Sequence, residues 1–220
     1  MTPTISIVGR SGSGKTTLLE KIVAELTSRG YTIGTIKHDV HGFEIDYEGK
    51  DSWRHKRAGA KIVVLSGPGK LAVIKDVDEE WPPSRLGFSF LDEVDLIITE
   101  GYKKAGYPKI EVVRKATSTK LMCGKDKHLL AIASDIKFKR RDVPCVDIND
   151  AKGIANLIEK RFLQKQPVSG RSGKADLIVN GKQITLKPFI NGMLAEAIKG
   201  MLKSLKGCGS PKDIEIRIRG

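Results

Sequence analysis

The stretch Gly9-Arg10-Ser11-Gly12-Ser13-Gly14-Lys15-Thr16-Thr17 constrains this chain more than any other feature. It matches G-x-x-x-x-G-K-[ST], a loop whose glycines let successive backbone N–H groups point into one concavity and cradle phosphate oxygens. Lys15 supplies a mobile positive charge for the β- and γ-phosphates, and the Thr16 hydroxyl is placed to ligate Mg²⁺. The flanks fit as well. Thr4 to Val8 is a short β-branched run that reads as a buried strand, and Leu18, Leu19, Ile22, Val23 and Leu26 recur at helical spacing. Strand, glycine loop and helix are the context the motif requires, and they impose an α/β architecture around a nucleoside triphosphate site.

The chain has 220 residues, enough for one large domain or for one self-sufficient domain with an appendage. No apolar run approaches the roughly 18 residues of a membrane span, and the segment leading into the loop does not read as a secretory signal. Cys123, Cys145 and Cys208 are widely separated and form no C-x-x-C pair, which suits thiols in a reducing cytoplasm. The net charge of +13 favours anionic partners such as nucleotides and phosphorylated cofactors. No dense basic tract or aromatic-basic pattern argues for nucleic acid.

Beyond the first helix, strands are expected over 32–36, 61–65, 71–74, 95–100, 110–113, 129–133 and 143–148. The pair 61–65 and 71–74 forms a hairpin about Ser66-Gly67-Pro68-Gly69. Short and long helices are expected over 51–58 and 151–163, with Ile154, Leu157, Ile158 and Phe162 on one side of the latter, and Trp81-Pro82-Pro83 reads as a break. Strands alternating with helices predict a P-loop α/β layered fold with a mostly parallel sheet, spanning residues 1–163. Residues 164–175 are polar, contain Pro167, Gly170 and Gly173, and read as a linker. Residues 176–220 read as a small basic ββαβ unit: a hairpin about Asn180-Gly181, a helix with Ile190, Leu194, Ala197, Ile198, Met201, Leu202 and Leu205 in one stripe, and a strand over 213–218.

Phosphate chemistry needs a carboxylate near Thr16. Asp95 and Glu100 lie at opposite ends of one strand, about 16 Å apart at strand rise, so both cannot serve one ion. Ligands bind outside the carboxyl ends of parallel strands, which selects Glu100 for the metal or its water shell and leaves Asp95 at a strand start. Lys37-His38 follows a strand and faces the same edge, as a candidate phosphate contact. Asp46 and Asp51 are candidates for further magnesium or water contacts, whereas His41 and His55 read as ordinary loop and helix residues. Asp135, after the strand over 129–133, lies at the right edge to accept hydrogen bonds from a guanine. No Asn-Lys-x-Asp motif is present, so guanine and adenine both stay open on motif alone.

The P-loop together with Ile36-Lys37-His38, Gly49-Lys50-Asp51-Ser52, Ala58-Gly59-Ala60, Thr99-Glu100-Gly101-Tyr102-Lys103, Ala133-Ser134-Asp135 and Asp147-Ile148-Asn149-Asp150 resembles the molybdopterin-guanine dinucleotide biosynthesis protein B (MobB) family over residues 3–163. The resemblance implies a GTP-binding protein, usually a homodimer, with at most slow GTPase activity. Its family role is to assist the guanylyltransferase MobA, which joins GMP to molybdopterin. Under it Lys15, Thr16 and Glu100 keep their roles, Asp135 becomes the guanine contact, and molybdopterin becomes a bound ligand. Residues 176–220 lie outside it. Other classes compete. A small-molecule kinase would need a basic lid, for which Lys103-Lys104 or Arg140-Arg141 are candidates. A G-protein metallochaperone would need His/Cys ligands that are missing. A nucleic-acid-binding scaffold would use the basic tail and an inert P-loop.

Overall fold

In a computed structural model of the chain, β1 (Thr4–Gly9) runs directly into the glycine loop, and α1 (Lys15–Ser28) leaves it. The structure describes residues 2–39, 42–139, 142–163, 175, 177–179, 182–184, 186–206, 214 and 216. His41, Arg140-Arg141, residues 164–174 of the expected linker, the Asn180-Gly181 turn, Cys208 and four of the six residues of the expected last strand lie outside them. β2 (Ile33–Lys37), β5 (Leu96–Glu100), β6 (Lys109–Val113), β7 (Leu129–Ser134) and β8 (Cys145–Asp147) join β1 in one sheet of order β2-β5-β1-β6-β7-β8. Every pairing in it is parallel. The central strands are buried because both their faces are covered, and β6 takes Lys109 and Glu111 into the interior with Ile110 and Val112.

One face is covered by α1 and by α4 (Ala151–Ile158), which continues as a π-helical turn over Glu159–Leu163. Leu18, Ile22 and Leu26 of α1 meet Ile154, Ala155 and Ile158 of α4 over Ile5, Ile7, Leu96, Ile98 and Ile110, all buried. This is the i, i+4 stripe read from the sequence. Asp150 caps α4 by accepting from the Gly153 N–H at 2.8 Å. An ion pair then ties the helices: Arg29 at the end of α1 lies 2.7 Å from Glu159.

The other face is closed mainly without helices. Val8, Val113 and Ile132 are packed by Leu121, Met122 and Cys123 from the segment after β6, and by Phe138 and Val143. Ser6 and Thr99, buried on this face of β1 and β5, satisfy one another by a 2.8 Å hydroxyl–hydroxyl bond. Toward β2 the cover is α3 (Pro83–Phe90), a helix absent from the expected elements. Trp81-Pro82-Pro83 does not break the chain there. Pro83 occupies the first helical turn, where its missing N–H is not needed, and so opens the helix.

α2 (Asp51–Arg57) and the antiparallel hairpin of β3 (Ile62–Gly67) and β4 (Lys70–Lys75) stand apart from the main sheet. On one hairpin face Ile62, Val64, Leu71 and Val73 are 40–66% exposed, although alternation would normally place polar residues outward. Past residue 163, β9 (Leu177–Val179) pairs antiparallel with β10 (Lys182–Ile184), and α5 (Pro188–Lys203) follows. The apolar stripe of α5 is only partly used: Ala195 is buried, whereas Ile190, Met201 and Leu205 are exposed. Among the described residues no helix is long and apolar enough to cross a membrane.

Candidate functional site

Parallel pairing brings the ends of β1, β5 and β2 to one edge of the sheet. The register sets Ile7 beside Glu100, and Glu100 beside Lys37. Just past that edge the glycine loop turns. Gly14 stands at φ +90°, the left-handed region that disfavours any side chain, and it begins α1 without a side-chain cap. The first N–H groups of α1 therefore stay available to an anion, with the partial positive charge of the helix N-terminus behind them. Gly9 is required for a different reason. A Cβ there would stand 2.5 Å from the Val112 carbonyl oxygen and 2.7 Å from Ser13 Oγ. Ser13 itself is 1% exposed, and its hydroxyl has no hydrogen-bond partner. A buried hydroxyl without a partner is costly, and it is the kind of donor a phosphate oxygen satisfies.

Lys15 folds back over the loop, its Nζ donating to the Arg10 carbonyl at 2.9 Å. Thr16 Oγ1 lies 3.0 Å from both carboxylate oxygens of Glu100. A hydroxyl and a carboxylate held together beside a phosphate cradle are the hard oxygen donors Mg²⁺ prefers, so the residues fit that ion. Asp95 is at the far end of β5, where its carboxylate accepts from the Thr32 N–H at 2.8 Å and fastens the start of β2. The other acidic candidates are engaged elsewhere. Asp46 accepts from Ser52 Oγ at 3.0 Å, and Asp51 faces Arg54 at 3.7 Å.

Lys37 is exposed beside Glu100, and the His38 N–H donates to the Glu100 carbonyl at 3.0 Å. The His38 ring stacks on Tyr102 with centroids 4.5 Å apart, and its Nε2 lies 3.0 Å from Glu80. Tyr102 is held at φ +53°, unusual for a residue other than glycine. Burial, then the Glu80 carboxylate, pushes its phenol up to about 12. Neither the strained Tyr102 nor Glu80 was expected to belong here, because nothing in the sequence signals a left-handed tyrosine. Asp135, one residue past β7, accepts from the Lys115 N–H at 2.7 Å and so ties the loop after β6 to the same edge. Arg114, in that loop, also escapes the motif reading, since it is nearly a hundred residues from the P-loop in sequence.

A six-stranded parallel sheet with a glycine loop between its central strand and first helix, and a threonine–glutamate pair at the mouth, defines a P-loop α/β nucleotide-binding protein. Residues 4–135 match the model of the family described as molybdopterin guanine dinucleotide synthesis protein B. The chain belongs to that family. It is 36% identical over 163 residues to the molybdopterin-guanine dinucleotide biosynthesis adapter protein of Haemophilus influenzae, covering 71% of this chain and 88% of the relative. A putative adapter protein of the same description from Methanocaldococcus jannaschii is 31% identical over 97% of this chain and 96% of its own length, so that alignment extends into the C-terminal unit. The crystal structure of Bacillus subtilis MobB superposes with a TM-score of 0.59 at 28% identity, over 74% of this chain and 99% of that one.

Proposed function

We propose that this chain is a GTP-binding adapter in the biosynthesis of molybdopterin guanine dinucleotide, holding nucleotide for a MobA-type guanylyltransferase that joins GMP to molybdopterin. The observation that carries this reading is the Thr16–Glu100 pair beside the phosphate cradle, in a chain of the MobB family. Gly9 to Thr17 bind the phosphates, Lys15 neutralises charge on the β- and γ-oxygens, and Thr16 with Glu100 holds Mg²⁺. When bound, that ion neutralises phosphate charge. Lys37 and His38 border the phosphates, and Asp135 contacts guanine.

Hydrolysis, where it occurs, is slow. His38 is the candidate base at this edge, its Nε2 3.0 Å from Glu80 and its ring stacked on Tyr102. Residues 1–163 form the nucleotide-binding domain, 164–175 a linker, and 176–220 a small basic unit whose β10 approaches α3. The reading includes a cytoplasmic location and a homodimer. The exposed apolar face of the β3–β4 hairpin suits burial against a second copy.

The test is reconstitution. Purified guanylyltransferase, molybdopterin and limiting Mg-GTP are combined with and without the chain, and the dinucleotide cofactor is measured. The chain is expected to raise its formation, and the Lys15→Ala variant is not. An equal yield with and without the chain would contradict the proposal.

A further inference from the structure

Lys15 is the cation the P-loop motif itself provides, and a second one stands against the same loop. Directly after β6, Arg114 turns back across the glycine loop, and one terminal guanidinium nitrogen lies 3.2 Å from where a Cβ on Gly14 would stand. Its Nε is buried and has no hydrogen-bond partner. The side chain lines a small crevice with Arg10, Ser13 and Thr117, and the one carboxylate lining that crevice, Glu111, is spent on the Met122 and Cys123 N–H groups at 2.5 and 2.9 Å. Arginine cannot shed its proton, so its charge is left facing the cradle without a carboxylate of that crevice to neutralise it.

The loop that carries Arg114 is anchored on three sides. The Arg114 carbonyl accepts from the Thr117 and Ser118 N–H groups at 2.8 and 2.9 Å. The Lys115 N–H donates to Asp135 at 2.7 Å, and the Thr117 hydroxyl donates to the Gly12 carbonyl at 3.4 Å. A guanidinium carried on a backbone fixed in this way meets an anion without the loop having to reorganise, and preorganised donors lose less on binding.

We infer that Arg114 is a second phosphate-binding cation of this site, closing on the polyphosphate chain from the β6 side while Lys15 holds it from within the loop. This rests on the nucleotide-binding reading above. The two cations together favour nucleotides that carry at least a diphosphate, since the backbone next to Gly14 is the part of the loop that cradles the inner phosphates. A charge-assisted hydrogen bond of this type is worth about 10–100-fold in affinity.

The experiment measures Mg-GTP and Mg-GDP affinity of the full chain and of Arg114→Gln and Arg114→Lys across a salt series, alongside the melting temperature of each without nucleotide. Arg114→Gln is expected to weaken both nucleotides by about 10–100-fold and to flatten the salt dependence of binding, because one screened charge contact is gone. Arg114→Lys should recover most of the loss, and the nucleotide-free melting temperature should not fall. Unchanged affinity in Arg114→Gln would overturn the inference. So would a loss with unaltered salt dependence and a lowered melting temperature, which would make Arg114 a prop for Gly14. A wild-type chain that binds neither nucleotide would overturn the nucleotide-binding reading first, and the inference with it.

Discussion

At the scale of single residues, two carboxylates on one strand illustrate how position decides role. Glu100 faces Thr16 at the carboxyl end of β5, while Asp95 fastens the Thr32 backbone at the other. Asp95→Ala is therefore expected to lower stability by about 1 kcal/mol, the net worth of such a bond, and to leave nucleotide affinity alone. Glu100→Gln should do the reverse, weakening Mg-dependent nucleotide binding with little change in the urea midpoint. Gly9→Ala is expected to cost about 1–3 kcal/mol, since its Cβ would stand 2.5 Å from the Val112 carbonyl, a backbone atom that cannot swing away. Urea unfolding at unchanged m-value measures it. Tyr102 carries a pH signature. Its phenol is raised to about 12, so the folded chain keeps a proton that the unfolded chain loses near 10. This contribution is complete below pH 10 and is lost as pH rises toward 12. The phenolate absorbance of wild type minus Tyr102→Phe should accordingly titrate late.

At the scale of elements, regular periodicity was the legible part. The apolar runs of β1, β5 and β7 and the i, i+4 stripe of α1 state their own burial, whereas β6 buries Lys109 and Glu111 beside Ile110 and Val112. α3 was hidden because a double proline normally signals interruption, and only its place ahead of an eight-residue segment lets it open a helix instead. The far face of the sheet was equally obscure, since irregular segments carrying Leu121, Met122 and Phe138 have no period to read. Lys15, Thr16, Glu100, His38 and Asp135, on the motif or at predicted strand ends, were legible as residues of the sheet's carboxyl edge. Glu80, Tyr102 and Arg114 were not, because their places depend on tertiary approach. The β3–β4 hairpin carries its own prediction. Val64 and Val73 face one another on its exposed side, at 56% and 40% exposure. In the homodimer proposed above, Val64→Lys should shift the chain from dimer to monomer in sedimentation velocity. A dimer that persists at the same concentration would remove the hairpin from the interface.

At the scale of the whole molecule, the proposed nucleotide site draws on residues 9–135, and the α1–α4 pairing sealed by Arg29 and Glu159 completes the layer beneath it. A chain ending at residue 163 should consequently fold cooperatively and keep its nucleotide affinity. Loss of folding would make residues 176–220 part of the core rather than a separate unit. The extension is shared in length with the Methanocaldococcus relative, so it belongs to one form of this family rather than to this chain alone. In the proposed role the P-loop holds guanine nucleotide for another enzyme's chemistry. Calorimetry of the purified chain with Mg-GTP and Mg-ATP tests it most directly. Saturable Mg-GTP binding, tighter than Mg-ATP binding and abolished in a still-folded Lys15→Ala variant, is expected. Equal or tighter binding of Mg-ATP, or Mg-GTP affinity that survives loss of Lys15, would contradict it.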